Sequence, residues 1–504
     1  KTETMEFGIL SLIPAVVTIL AALLTRRVAL SLFLGVIAGA FVVAEYKLAG
    51  FFGHSFEYLK IAFTDFERLK IVLFVVLIGG LLEIIAGSGA YHKFADALKN
   101  KLNTPRKSRV ATWGISMCLF FDDYANVLIS GAAMRRINMK NNVTPAQLAY
   151  IVDVVAIMAS IMVVSTWASF EGSVMAEAGK EVGVKGTITE FFIQSLPYHF
   201  YTFLAIIMAF MVAYTGKWFG YKADNKTYQL NHSSEVQSSK SKLYHLLAPI
   251  LTLLGFAIVA LFVSGSYMLI QANKPITLIN ILGTAPSVDI LILATLLAIG
   301  VGIALVRKDH ILSFSNIFRR FGKGTKSMVG VSLVIILAKG LSEVSGDLGT
   351  GVFITDSISD YITLEVLPML IFIVSMLITV ATGFSWSSMA IVMPIAFQMV
   401  IAQEAPDMIP VISAAVISGA VSGEHIIPFS EKAVMSAAAC KIEPLYHIKT
   451  MIFQTLVVFI AASGSYLLIG ITGSWALSFL APLAILLFIH FAFGKANKAS
   501  KIEE

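Results

Sequence analysis

The run FFDDYAN, Phe120 to Asn126, puts two adjacent carboxylates inside an apolar segment, 110–134, that has basic residues at both ends. Arg106, Lys107 and Arg109 come before it, and Arg135, Arg136 and Lys140 come after it. Lys and Arg collect on the cytoplasmic side of membrane segments, so both ends of this one belong to the same face. About twelve helical residues at ~1.5 Å each reach only ~18 Å, short of the ~30 Å hydrocarbon core. The segment reads as a hairpin that dips to about the midplane, with its tip at Asp122 and Asp123.

That reading requires a membrane, and composition supplies one. The 504 residues are 57% hydrophobic and 13% charged, about half the charge of a soluble domain. Working outward from the hairpin, apolar runs at 7–24, 28–46, 70–87, 147–169, 196–215, 245–268, 288–306, 327–345, 409–430, 450–470 and 474–493 give eleven expected crossings. The first of these has no basic region before it and continues past Arg26 and Arg27 into another run, so it is expected to stay as a helix. A second interrupted segment, 366–398, breaks at ATGFSWSS, Ala381 to Ser388. Its flanking connectors, 346–365 and 399–408, carry Asp347, Asp356, Asp360, Glu365, Glu404 and Asp407 but no Lys or Arg, which places them outside. This hairpin dips from the opposite face. The N-terminus is then outside, and the C-terminus, with Lys495, Lys498 and Lys501, is cytoplasmic.

The halves echo each other at an offset of 260: Gly80 with Gly340, Leu81 with Leu341, Glu83 with Glu343, Gly89 with Gly349 and Asp96 with Asp356. YHFYT at Tyr198 repeats as YHIKT at Tyr446, at an offset of 248. Because 70–87 and 327–345 run in opposite directions, the expected fold is an all-α polytopic membrane protein of two inverted repeats with broken helices. The expected organisation is 1–69, N-terminal spans with an interfacial helix rich in Phe at 50–70; 70–215, the first repeat; 216–243, a polar cytoplasmic linker; 244–325, connecting spans with a basic cytoplasmic loop; 326–470, the second repeat; and 471–504, the last span and tail.

Ionisable groups at membrane depth are costly and are functional candidates by default. Asp122 and Asp123 come first, where an unwound backbone frees further oxygens, with Tyr124 and Asn126 beside them; either Asp alone reads equally well as a helix cap. Asp153 lies about two turns into its span. The same span ends in STWASFE, with Ser165, Thr166, Trp167 and Glu171. The second hairpin contributes Thr382, Ser385, Trp386 and Ser387. SGEHIIPFSEK, Ser422 to Lys432, adds Glu424, His425, Ser430, Glu431 and Lys432, and Pro428 forbids a regular helix through it. Glu83 and Glu343 read as helix or interface residues, and Cys118 and Cys440 as small core residues. The net charge of +6 resides in connectors, which argues against nucleic acid. FGKGTKS, Phe321 to Ser327, lacks the Gly before Lys326 of a phosphate loop, and no zinc-protease motif is present, so neither an ATPase nor a metalloenzyme is expected.

FFDDYANVLISGAAMR, QLAYIVD, VSTWASFE, ATGFSWSSMAIVMP and SGEHIIPFSEK together resemble the NhaC-type sodium/proton antiporter family. The resemblance implies an inverted-repeat fold that exchanges sodium for protons, with relatives that exchange organic acids such as malate and lactate. Where the family has a run like GDHxSPISDT, this chain carries Glu424 and Glu431 for Asp, Ile427 for Ser and Lys432 for Thr. Lys432 either pairs with Glu431 or faces an organic anion. The expected function is cation/proton antiport by alternating access, with coupled exchange of a small organic acid or amino acid as the alternative. The expected partners are the cation, the proton, an organic anion in the alternative, and membrane lipid. No cofactor and no metal other than the transported monovalent cation are expected, a homodimer is left open, and the plasma membrane of a prokaryote is the expected location.

Overall fold

Polar caps and prolines decide where the helices start. The computed structural model describes residues 7–25, 28–90, 93, 97, 102–120, 123–219, 241–273, 275–277, 281, 284–350, 353, 363–382, 385–428 and 430–496. Helices α1 (Ile13–Thr25), α2 (Val28–Val43), α3 (Leu48–Thr64) and α4 (Phe66–Ser88) come first. They are followed by α5 (Pro105–Cys118), α6 (Asp123–Lys140), α7 (Pro145–Ala156, prolonged by a 3-10 turn to Ile161), α8 (Thr166–Glu181), α9 (Ile188–Ser195) and α10 (Phe200–Thr215). Next are α11 (Tyr244–Gln271), α12 (Ser287–Lys308) and α13 (Phe314–Ser327). The chain ends in α14 (Val329–Asp347), α15 (Leu367–Thr382), α16 (Ser385–Ala402), α17 (Ile409–Glu424), α18 (Glu431–Cys440), α19 (Pro444–Thr472) and α20 (Trp475–Phe493). Thr104 and Thr144 cap α5 and α7, each with Pro at the first helical turn, where its missing N–H costs nothing. Ser165 and Ser430 accept the N–H groups of Ala168 (3.0 Å) and Ala433 (3.2 Å), restarting α8 and α18 after breaks. Such a hydroxyl cap stabilises a helix by about 1 kcal/mol.

Among the described residues, six helices are long and apolar enough to cross a membrane: Arg68–Ser88, Tyr244–Gln271, Val288–Lys308, Pro406–Glu424, Pro444–Thr472 and Trp475–Phe493. The pair Ile188–Tyr198 and Phe200–Thr215, bent by 55°, is long and apolar enough when taken together. The remaining expected crossings fall on shorter, broken or more polar helices. The segment 147–169 is two helices with a break at 162–165, and 409–430 stops as a helix at Glu424. The runs at 7–24 and 28–46 form helices of 13 and 16 residues, and α14 carries Lys339 and Glu343 within its apolar length. The long helices are apolar outward and polar inward: α20 buries Ser478 and His490 while exposing Ile485, Phe488 and Phe491. This arrangement suits a lipid solvent.

Around the expected first hairpin, α5 and α6 pack side by side and reach beyond 110–134. Asn126 Nδ2 donates to the Ser116 carbonyl (2.7 Å), Asn138 Nδ2 to Thr112 Oγ1 (2.8 Å) and Asn141 Nδ2 to the Leu102 carbonyl (2.8 Å). The pairing partners move down α5 as they move up α6, so the arms are antiparallel and both ends return to one place. In the second, Ser388 Oγ donates to the Ser375 carbonyl (2.7 Å) across α15 and α16. The segment expected at the interface is largely α3, which exposes Phe52 and Phe56 and buries Ser55 and Tyr58; its last residues belong to α4.

The expected basic loop is largely helix α13, which lies on α4 and pairs Arg320 (3.2 Å) and Lys323 (3.0 Å) with Glu83. Most of the expected linker lies outside the described residues, but Lys217–Trp218 pair antiparallel with Lys495–Ala496, a two-residue ladder in a chain expected to be all α. Cys440 is buried as expected, whereas Cys118 is exposed.

Candidate functional site

The buried polar residues gather where helices end and restart: α7 with its 3-10 turn ends at Ile161 and α8 starts at Thr166, α15 ends at Thr382 and α16 starts at Ser385, and α17 ends at Glu424 and α18 starts at Glu431. Asp153, near the end of α7, is fully buried. Its Oδ1 accepts from Ser436 Oγ of α18 at 3.0 Å, and its Oδ2 lies 3.0 Å from His447 Nε2 of α19. A carboxylate from the first half is thus closed by two groups from the second. With His447 carrying its proton on Nε2, the contact is a hydrogen bond to a neutral ring or an ion pair to a charged one.

A second carboxylate sits beyond the neighbouring break. Glu424, the last residue of α17, receives the Ser385 backbone N–H at Oε1 (3.0 Å), at the start of α16 where free N–H groups favour an anion. Its Oε2 faces Lys432 Nζ of α18 at 3.3 Å, and both side chains are almost wholly buried. Neither of those two facing atoms makes a hydrogen bond within the protein. His425 Nδ1 meets the Tyr201 hydroxyl of α10 at 2.8 Å. Lys432 stands one turn before Ser436 on α18, and Ser436 donates to Asp153, so the two carboxylates belong to one cluster.

Of the expected site residues, the structure brings Asp153, Ser385, Glu424, His425 and Lys432 together. Ser165 and Ser430 are caps, with Ser165 Oγ also donating to the Ala159 carbonyl at 2.7 Å. Asn126, expected as an oxygen ligand, ties α5 to α6 through Nδ2, and its Oδ1 accepts from Ser130 (3.1 Å). Asp123 is buried at the start of α6, with Tyr124 half-buried after it. Trp386 stacks on Phe170 (4.2 Å between centroids) and meets Trp167 edge-on (5.9 Å). Glu171 is fully buried, and neither of its oxygens makes a hydrogen bond within the protein. Asp122 and the side chains of Thr166, Thr382, Ser387 and Glu431 lie outside the described residues. The partner described for Lys432 is Glu424; the side chain of the expected one, Glu431, lies outside the described residues.

The model of the Na+/H+ antiporter family matches residues 150–473, a stretch that holds Asp153, Glu424, Lys432 and His447. The chain belongs to the Na+/H+ antiporter family. An uncharacterised protein of Haemophilus influenzae is 28% identical to it over 98% of this chain and 97% of its own. The solved YdaH transporter of Alcanivorax borkumensis shares its fold, with a TM-score of 0.58 over 84% of this chain and 90% of that one at 16% identity. MtrF of Neisseria gonorrhoeae, described as illuminating a class of antimetabolite efflux pumps, aligns at a TM-score of 0.49 over 80% and 82% at 14% identity. This member of the antiporter family is accordingly a multi-pass membrane transporter.

Three residues of the antiporter's cluster escaped the sequence reading: Ser436, His447 and Tyr201. Tyr201 and His447 stand in the YHFYT and YHIKT echo, which reads as a mark of repetition and not of chemistry. A cavity of about 520 Å³ opens elsewhere, between the start of α4 and the end of α8, lined by Arg68, Glu177 and Lys180 among others; none of the cluster's residues line it.

Proposed function

We propose that the protein is a secondary antiporter that exchanges a monovalent cation, with sodium as the leading candidate, for protons across the plasma membrane of a prokaryote. One observation carries this reading: Asp153 comes from the first half of the chain and is closed by Ser436 and His447 of the second. Movement of one half against the other opens that carboxylate to one face or the other, which is what alternating access requires. Asp153 holds the proton, His447 accompanies it, and the acidic hairpin tip with Asp123 takes the cation. The N-terminus faces outward, and the C-terminus lies in the cytoplasm.

The test is reconstitution into liposomes loaded with a pH-sensitive dye, with sodium, lithium and potassium added in turn. Sodium should move protons in the wild type, and Asp153→Asn should abolish that flux while leaving the protein folded. Proton flux at the wild-type rate in Asp153→Asn would remove Asp153 from the mechanism. A second reading, coupled exchange of a small organic solute, is favoured by the buried Lys432 beside Glu424, since a fixed cation there competes with a bound metal ion.

A further inference from the structure

We infer that the Glu424–Lys432 pair is the receptor for a small zwitterion bearing a primary ammonium and a carboxylate, an α-amino acid, with Lys432 taking the carboxylate and Glu424 the ammonium. The inference rests on the organic-solute reading above and names its substrate class. It starts from a contrast between two buried lysines. Lys339 of α14 is gripped by two carboxylates, Glu177 of α8 and Glu343 one turn along its own helix, with hydrogen bonds to match. That is a closed structural pair. Lys432, equally buried, has three donors to place and spends none of them in a hydrogen bond; it only faces Glu424 Oε2 at 3.3 Å.

The groups around the pair are similarly unspent. Ser385 Oγ and Thr379 Oγ1 are buried and make no hydrogen bond within the protein. Ser385 holds Glu424 through its backbone, and Gly423, next to Glu424, packs against Thr379. Buried polar atoms are nearly always satisfied in native proteins, so this concentration at one helix break marks a place built for an additional polar molecule.

Charge selects the molecule. A bare cation at Glu424 meets the ammonium of Lys432, and a bare anion at Lys432 meets the carboxylate of Glu424. A zwitterion inserted between them exchanges one ion pair for two and adds no net charge to a buried site, where net charge is expensive. In the solute-free state each residue stands in for the solute group that its partner binds. Glu424 ends α17 and Lys432 stands in α18, so the two are carried by separate helices. Lys432 stands one turn before Ser436, which donates to Asp153, so re-pairing Lys432 alters the field at the proposed proton site and couples the two.

The experiment measures thermal stabilisation of the purified full-length protein by each of the twenty proteinogenic amino acids, by lactate, by ethylamine and by glycine betaine, whose quaternary nitrogen offers Glu424 no N–H. At least one amino acid should raise the melting temperature, and lactate, ethylamine and betaine should not. The double variant Glu424→Gln with Lys432→Met removes both charges together, should keep the ligand-free melting temperature near the wild-type value, and should weaken amino acid binding at least tenfold. Stabilisation by none of the twenty, equal stabilisation by lactate or ethylamine, or wild-type binding in the double variant would each overturn the inference. Sodium-driven proton flux, read in wild-type liposomes without any solute, separates the two failures: if it is present while no amino acid binds, antiport stands and the zwitterion site falls.

Discussion

A short polar side chain at a helix break has two uses, capping a helix or binding a solute, and residue type does not distinguish them. Asn126, four residues after Asp122, braces α5 against α6 through its amide nitrogen. Ser165 and Ser430 lie in polar motifs and act as caps. Asp153 was legible because an acid two turns inside an apolar run has no other excuse, whereas His447 lies in a helix start where histidine is ordinary. The lysines invite a direct comparison of ion pairs. Lys339→Met strands Glu177 and Glu343 and should destabilise the protein by roughly 3–5 kcal/mol, the scale of a broken buried pair. Lys323→Met, at a side chain 74% exposed whose partner Glu83 keeps Arg320, should cost less than about 1 kcal/mol. Denaturation midpoints of the two variants decide this, and equal shifts would show that Lys339 is not the closed structural pair described.

At the scale of elements, the breaks were the most readable feature. Polar clusters inside apolar runs put them near 120–126, 381–388 and Pro428, and the helices stop at Cys118, Thr382 and Glu424. The lengths of the arms were less readable, because a polar residue facing a partner helix ends an apolar run without ending the helix. Close packing was not readable at all. A Cβ on Gly419 of α17 would stand 2.2 Å from the Phe372 carbonyl oxygen of α15, whereas one on Gly464 of α19 would have nothing within 4 Å. Gly419→Ala should therefore lower the melting temperature, by a cost of about 1–3 kcal/mol typical of overpacking. Gly464→Ala should be neutral or raise it, since Ala is the better helix former. Similar behaviour of the two would mean that α17 and α15 do not pack as described.

For the whole molecule, side-specific charge is the sequence signal and can be checked directly. After replacement of Cys118 and Cys440, single cysteines at the exposed Asn103 and Asn142, which flank the first hairpin, should react with an impermeant maleimide in inside-out vesicles only. Cysteines at the exposed Glu404 and Asp407 should react from the other side only. If Asn103 and Asn142 label from opposite sides, α5 and α6 cross the membrane and the hairpin reading fails.

By itself the sequence determined that this is a membrane transporter of the family it resembles, where its helices break, and that Asp153, Glu424 and Lys432 are buried charges needing an explanation. Hydropathy, charge bias and helix breakers are local properties, and each is written in a few consecutive residues. Only the tertiary structure decided which charge meets which. The pairs Asp153–His447 and Tyr201–His425 join residues 294 and 224 positions apart, and Lys432 turns to Glu424 across the break. No local pattern encodes such choices, because they follow from how the helices pack and from the high cost of leaving a buried charge without a partner.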